Sequence, residues 1–341
     1  MLVSKPEAPR SSQPLATPRL RRRYWTLLTT LLALSALFAF GLLAWDNPMP
    51  VGTEGFWIIA RMRATSLVVI LIVAFCQAIA TVSFQTATNN RIITPSIMGF
   101  ESLYRAVQTS SVYFLGVAGI TAIQGVSQFL LQVALMVGFA LLLYGWLLSG
   151  RYGNLQVMLL VGIILGAGLG SVSTFMQRLL TPSEFDVLAA RLFGSISHAD
   201  PAYLPYAIPL AAIAGGALWA NAKNLNLLSL GRDAATSLGI NHRRQTMVTL
   251  FFVSILMAVS TALVGPMTFL GFLVATLAYQ LADTYDHRYI FPMSVATAFI
   301  VLTGSYFVMK HVFYAQGVVS IIIELVGGGV FLLVLLRKGR L

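Results

Sequence analysis

Apolar residues in this chain are grouped in long blocks rather than set at alternate positions. Ten blocks can be placed, at about 24–45, 57–82, 94–114, 124–148, 155–177, 203–222, 243–265, 267–283, 289–310 and 317–337. Each is close to the roughly 20 residues a helix needs to cross a bilayer core about 30 Å thick. The period-2 pattern of barrel strands is absent, and in lipid a lone span must satisfy its own backbone hydrogen bonds, so each block predicts a helix. The third and eighth blocks are interrupted by polar residues. The pattern therefore predicts an all-α membrane protein with about ten transmembrane helices.

Composition agrees. Of the 341 residues, 57% are hydrophobic and 10% charged, against about 25% charged in a typical soluble domain. The formal net charge of +11 would suggest nucleic acid in a soluble protein. Here the basic residues gather in short segments between apolar blocks, as in cytoplasmic loops, so no nucleic-acid partner is expected. With the N-terminus inside, only Arg61, Arg63, Arg178, Arg191 and Lys310 fall outside and Arg105 within a span, while all the other Lys and Arg fall inside. That asymmetry puts both termini in the cytoplasm. Residues 1–20, rich in Pro and Ser, read as a disordered cytoplasmic tail, and 21–341 as a single transmembrane domain. The block at 24–45 is too long for a signal peptide and lacks a small-residue cleavage site, so it is expected to be retained.

The chemistry of sites is sparse. Cys76 is the sole cysteine, and His198, His242, His287 and His311 form no ligand-spaced pair, so no metal site is expected. No nucleophile–base set or H-E-x-x-H motif marks a catalytic centre, and no G-x-x-x-x-G-K-[ST] loop binds ATP. The chain reads as a non-enzyme, and any ATP and Mg would sit on a separate ATPase.

The most informative segment is 224–239, NLNLLSLGRDAATSLG, between the sixth and seventh blocks. It is too polar to span, yet it sets leucines in an aqueous loop, which invites burial against a partner or against the bilayer surface. Gly231 can break a helix, so two short helices with a bend are expected.

This segment resembles the coupling segment of FecCD-type permeases, the membrane subunits of iron-siderophore and vitamin B12 ABC importers. Three stretches agree in order. Gln85-x3-Asn89-Asn90-Arg91-Ile92-Ile93-x-Pro95-x2-Met98-Gly99 resembles Q-x3-R-N-P-L-A-x-P-x2-L-G. Gly265 to Pro292, through Phe269, Gly271 and Asp286-His287-Arg288, resembles G-x-I-G-F-x-G-L … D-H-R-x-L-x-P. Leu192-Phe193-Gly194-Ser195 resembles a G-S element before the sixth span. The resemblance covers about residues 24–337. It departs at Asn90-Arg91-Ile92 where the family has Asn-Pro-Leu, at Ala275 and Tyr279 where it has Pro and Arg, and at Ser305 where it has Asp.

The resemblance implies a type II ABC importer permease fold and alternating-access import of ferric siderophore across the bacterial inner membrane. It implies two ATPase subunits, a periplasmic or lipid-anchored binding protein, and a second permease. The departures, with residues 98–109, favour the heterodimeric branch, often associated with catecholate-type siderophores. By position, Leu227, Ser229, Leu230, Gly231, Ala234, Leu238 and Gly239 would dock the ATPase. Asn90 and Ile92 would form a cytoplasmic gate, unless Asn90 merely caps the third helix. Arg61, Arg63 and Lys310 would meet the binding protein, or else anchor the interface by snorkelling.

Gly162, Gly166 and Gly170 leave a smooth face on the fifth helix, for the pore or for close helix packing. Glu101, Arg105 and Glu324 lie inside spans. They suit local pairing, Glu101 and Arg105 being four residues apart, or a proton-coupled secondary transporter, which is the alternative reading.

Overall fold

The computed structural model describes residues 13–45, 47–50, 52–123, 125–149, 155–196, 199–313 and 319–338. Thirteen α-helices form among them: α1 Pro18–Ala44, α2 Glu54–Ala87, α3 Phe100–Ile123, α4 Val126–Ser149, α5 Leu155–Gln177, α6 Pro182–Leu192, α7 Leu204–Ala220, α8 Ala222–Leu228, α9 Arg232–Ser237, α10 His242–Val264, α11 Leu270–Ala282, α12 His287–His311 and α13 Val319–Lys338. Each of the ten apolar blocks overlaps one of the longer helices. Seven of them, α1, α2, α4, α5, α7, α10 and α12, are long and apolar enough to cross a membrane. The chain is a multi-pass membrane protein.

The interrupted third block opens on a 3-10 turn at Pro95–Met98 before α3, and α3 is itself kinked at Gly116. The eighth block yields only the 13 residues of α11, about 20 Å of helix. That is short of a crossing, and the loop from Gly265 to Phe269 leads into it.

The centre of the bundle is α2, packed against α7, α10, α11 and α12. From Val69 to Ala87 nearly every residue is buried. Some of its polar side chains bond within the helix or across to a neighbour: Thr86 Oγ1 lies 2.8 Å from Val82 O, and Gln77 Nε2 donates to Ser260 Oγ on α10 at 3.1 Å. Glycines bring the neighbours in: Gly215 of α7 lies against the Phe75 ring and Gly271 of α11 against Thr81.

The end of the bundle that the charge asymmetry assigns to the cytoplasm is tied to the N-terminal segment. Thr284 Oγ1 donates to Pro14 O at 2.8 Å, Leu15 is buried, and Arg23 pairs with Asp283 at 3.2 Å. Within the expected tail, Pro14 and Leu15 therefore contact the bundle, and α1 starts at Pro18 behind a Thr17 N-cap. The remaining tail residues, with His198, Arg151 and Arg340, lie outside the described residues.

At the other end, α6 is an element that the apolar blocks do not predict: it carries too few apolar residues to register as a span. A capping box starts it, Thr181 N donating to Glu184 Oε2 at 2.9 Å. After α6 the chain turns inward at Gly194-Ser195, where Ser195 N donates to Val264 O at 2.8 Å and Ser320 N to Gly194 O at 3.3 Å.

A methyl group at Gly194 would sit 2.5 Å from the Pro266 carbonyl oxygen, whereas one at Gly216 would meet open space. Gly194→Ala should cost about 1–3 kcal/mol through overpacking, and Gly216→Ala should be neutral or slightly stabilising. Equilibrium unfolding of the two variants in mild detergent checks the contrast.

Candidate functional site

The 224–239 segment folds as two short helices, α8 and α9, joined at Gly231, whose φ of 91° only glycine adopts without strain. One face of α8 belongs to the permease itself: Ala222, Leu225 and Leu228 are buried. Leu227 is half-buried. Ser229, Leu230, Ala234, Leu238 and Gly239 face outward, and Leu230 and Leu238 are each 57% exposed. Leucines this open, on a polar element, leave an apolar ridge without a cover.

The segment is pinned to the bundle by Asn226. Its Nδ2 donates to Asp286 Oδ1 at 3.0 Å, and its Oδ1 accepts from the backbone N–H of His287 at 3.0 Å and from the His287 ring. Asp286 caps α12 through Arg288 N at 3.0 Å and pairs with the Arg288 guanidinium at 3.0 Å. Burial alone would raise the Asp286 carboxyl, but hydrogen bonds from Asn226 and Arg288 and the Arg288 charge outweigh it and hold it below the usual carboxylate range.

Beside this knot lies the loop after α2. Asn89 takes the left-handed conformation at φ 51°, Asn90 N donates to Gln85 O at 3.0 Å and Asn89 N to Thr86 O at 3.2 Å. That is a Schellman close. Asn90 thus ends α2 rather than capping the third helix, and its side chain accepts from Ile92 N at 2.9 Å, shaping the turn that leaves Ile92 36% exposed. The Arg91 guanidinium stacks on the Tyr279 ring, 4.6 Å from its centroid. Gln85 Nε2 donates to Arg91 O at 2.7 Å and fixes the loop from within. Sequence reasoning missed Asn226 and the Arg91–Tyr279 stack. Arg91 and Tyr279 each depart from the family pattern, but nothing in the sequence joins positions so far apart.

At the opposite end, the three expected cations behave differently. Arg61 is exposed. Arg63 caps α1, its Nη1 donating to Trp45 O at 2.8 Å, Leu43 O at 3.3 Å and Leu42 O at 3.4 Å. Lys310 lines the same cavity as Arg63, of about 350 Å³. A second, more polar cavity of about 480 Å³ lies between α3, α4 and α10, with Gln108, Gln132 and Ser195 in its wall.

The glycine face of α5 is divided. Gly162 and Gly166 receive Met98 and Gly99, and a methyl group placed on Gly166 would stand 3.1 Å from the Gly99 Cα. Only Gly170 opens onto space, beside Arg105 and Arg178. Close packing thus uses most of that face. Glu101 and Arg105 do not pair: Glu101 Oε2 accepts from Thr268 Oγ1 at 2.6 Å, and Arg105 and Glu324 are exposed. Among the described residues no group of three His, Cys, Asp or Glu could hold a metal ion.

A helical bundle around one buried helix, with an anchored helix pair carrying an apolar ridge at one end, is the architecture of an ABC importer permease. The chain matches the FecCD transport family over residues 26–337 and belongs to it. It is 56% identical to the petrobactin import system permease protein FatC of Bacillus anthracis, over 97% of this chain and 94% of that one. It is 25% identical to the petrobactin import system permease protein FatD of the same organism, over 85% of this chain and 83% of that one. Among solved structures it superposes on a metal-chelate type ABC transporter in an inward-facing conformation, with a TM-score of 0.78 at 20% identity, covering 92% of this chain and 99% of that one. In this family the permease is not the enzyme. ATP hydrolysis belongs to a separate subunit, and the proton-coupled alternative finds no support.

Arg63→Ala should lower stability by about 1–3 kcal/mol, because α1 loses a charged donor at its last carbonyls, while Arg61→Ala leaves it unchanged. Thermal unfolding of both variants separates the roles. The depressed Asp286 carboxyl contributes stability that is complete above its unfolded value near pH ~4 and is lost as pH falls through its lower folded value. Acid unfolding of Asp286→Asn should therefore show a weaker pH dependence below about pH 4 than the wild type.

Proposed function

We propose that this chain is one of two different permease subunits forming the pathway of an ATP-driven importer that carries ferric siderophores across the bacterial inner membrane. The observation that carries the reading is the ridge of Leu230 and Leu238 on a helix pair that Asn226 fastens to the bundle. An exposed apolar ridge on a rigid mount is what a partner's cleft can push against. Kinship with two petrobactin permeases of one organism, at 56% and 25% identity, supports a heterodimer in which this chain takes the FatC position.

In this reading a siderophore-binding protein docks outside, with Arg61 as the cation open to its carboxylates. Two ATPase subunits, holding the ATP and Mg, clasp 224–239 on both permeases. Closure of the ATPases rocks the helix pairs, and the pathway opens to one side at a time. Ile92 stands at the inner mouth as an apolar plug. The iron stays inside its chelator, so the chain itself needs no metal ligands or cofactor.

The test is ATP hydrolysis by the assembled subunits in lipid, with and without ferric-siderophore-loaded binding protein. Leu230→Asp with Leu238→Asp should abolish the stimulation while the chain stays folded, because both side chains point to water. Unchanged stimulation would show that the ATPase engages another surface.

A further inference from the structure

Helix α1 is turned so that its two sides meet different surroundings. Tyr24, Leu28, Ser35 and Leu42 are buried, and the Tyr24 hydroxyl donates to Tyr289 O of α12 at 2.9 Å, which fixes the rotation. Spacings of four and seven residues put these side chains on one face. The opposite face, through Arg19, Arg22, Thr26, Ala33, Leu37 and Phe40, is exposed. Leu37 is 64% and Phe40 67% exposed, so this side of the span is offered to lipid.

Depth follows from length. The 27 residues of α1 make about 40 Å of helix, roughly 10 Å more than the hydrocarbon core. From Trp25 to Ala44 no residue is charged, and that stretch alone is long enough to cross. The excess, Pro18 to Tyr24, lies at the end assigned to the cytoplasm and holds Arg19, Arg21, Arg22 and Arg23. Trp25, 52% exposed, marks its base. These guanidinium groups therefore stand at the height of the phospholipid headgroups, with an aromatic ring at the boundary.

Three of the arginines shape a site. Arg19, Arg22 and Arg23, with Thr26 and Leu27, border a cleft of about 330 Å³. Arg23 is held there by Asp283 at 3.2 Å, at the end of α11. Among the described residues no carboxylate pairs with Arg19 or Arg22, so the cleft keeps two uncompensated charges. A guanidinium presents a fork of N–H groups that fits the two non-bridging oxygens of a phosphodiester. Below the cleft the same face continues as Ala33, Leu37 and Phe40, an apolar track for an acyl chain. A free phosphate would use the cations alone, whereas a phospholipid uses both halves.

We infer that Arg19, Arg22 and Arg23 hold the headgroup of an anionic phospholipid of the cytoplasmic leaflet, with one acyl chain lying along α1. Binding there needs neither the ATPase nor the imported ligand. Because Arg23 also ties α1 to Asp283, the lipid sits at the joint between the first helix and the rest of the bundle.

The test uses the purified full-length chain, stripped of lipid in detergent and offered phosphatidylglycerol or phosphatidylcholine, whose choline cation cancels the phosphate charge. Lipid retained per chain is counted by native mass spectrometry. Wild type should retain phosphatidylglycerol in preference. Arg22→Gln should weaken that retention about fivefold, and Arg19→Gln with Arg22→Gln about 25-fold. Arg21→Gln is the control. It removes the same charge from an exposed neighbour, but Arg21 points about 100° away from Arg22 and does not border the cleft. Its retention should stay within about twofold of wild type.

Equal losses in Arg21→Gln and Arg22→Gln would leave only a diffuse positive surface and overturn the site. A wild type without preference between the two lipids would overturn it as well. Glycerol phosphate, the headgroup without its chains, should fail to displace the bound lipid at equal concentration. Displacement would make the cleft a site for free phosphate esters and overturn the assignment to lipid.

Discussion

A lipid interior offers no hydrogen-bond partners, and the architecture of this permease answers to that fact first. Its most polar buried surface lies on α2, where threonines, serines and glutamines line a helix enclosed by four others. Gln77 shares its bond with a neighbouring helix, Thr86 bonds its own helix and approaches His287 on another, and Gln85 holds the loop that follows. A helix so placed cannot move without carrying its neighbours, and it ends at the loop of Asn89 to Ile92. The irregular backbone of the fold, the turn at Pro95–Met98 and the approach to α11, is likewise largely buried, though Ile97 is exposed.

What binds the inner end together is a carboxylate with two duties. Asp286 caps α12 and also holds Asn226, so the helix pair that faces outward is fastened to the start of a long helix and not merely to a loop. The outward leucines and the inward ones divide the same short sequence. Leu225 and Leu228 seat it, and Leu230 and Leu238 are left for something else. Anchorage and exposed apolar surface are thereby separated along about four turns of helix.

Much of this is legible in the sequence. The apolar blocks locate every long helix, and the bend at Gly231 follows from the glycine between two polar runs. The outer helix α6 escapes because a short amphipathic segment looks like a loop once long apolar runs are the signal. The roles of single residues are harder to read. Arg63 has the look of a docking cation, yet its guanidinium sits on the last carbonyls of α1. Gly162 and Gly166 have the look of pore lining, yet Met98 and Gly99 fill them. Arg91 and Tyr279 stand out in the sequence as two separate oddities, and only folding shows that one sits on the other. Spacing reports what shares a helix face; it is silent on which helices meet.

The exposed leucines also bear on how the chain is made. Apolar side chains that would be covered in the proposed importer are a sticky surface on a subunit synthesised without its partners. An orphan copy in the membrane would display Leu230 and Leu238 to the chaperones and proteases that survey the cytoplasmic face. If the proposed docking holds, the same two side chains would mark incomplete assembly until a partner covered them. Balanced synthesis of the subunits would then be a requirement written into the fold.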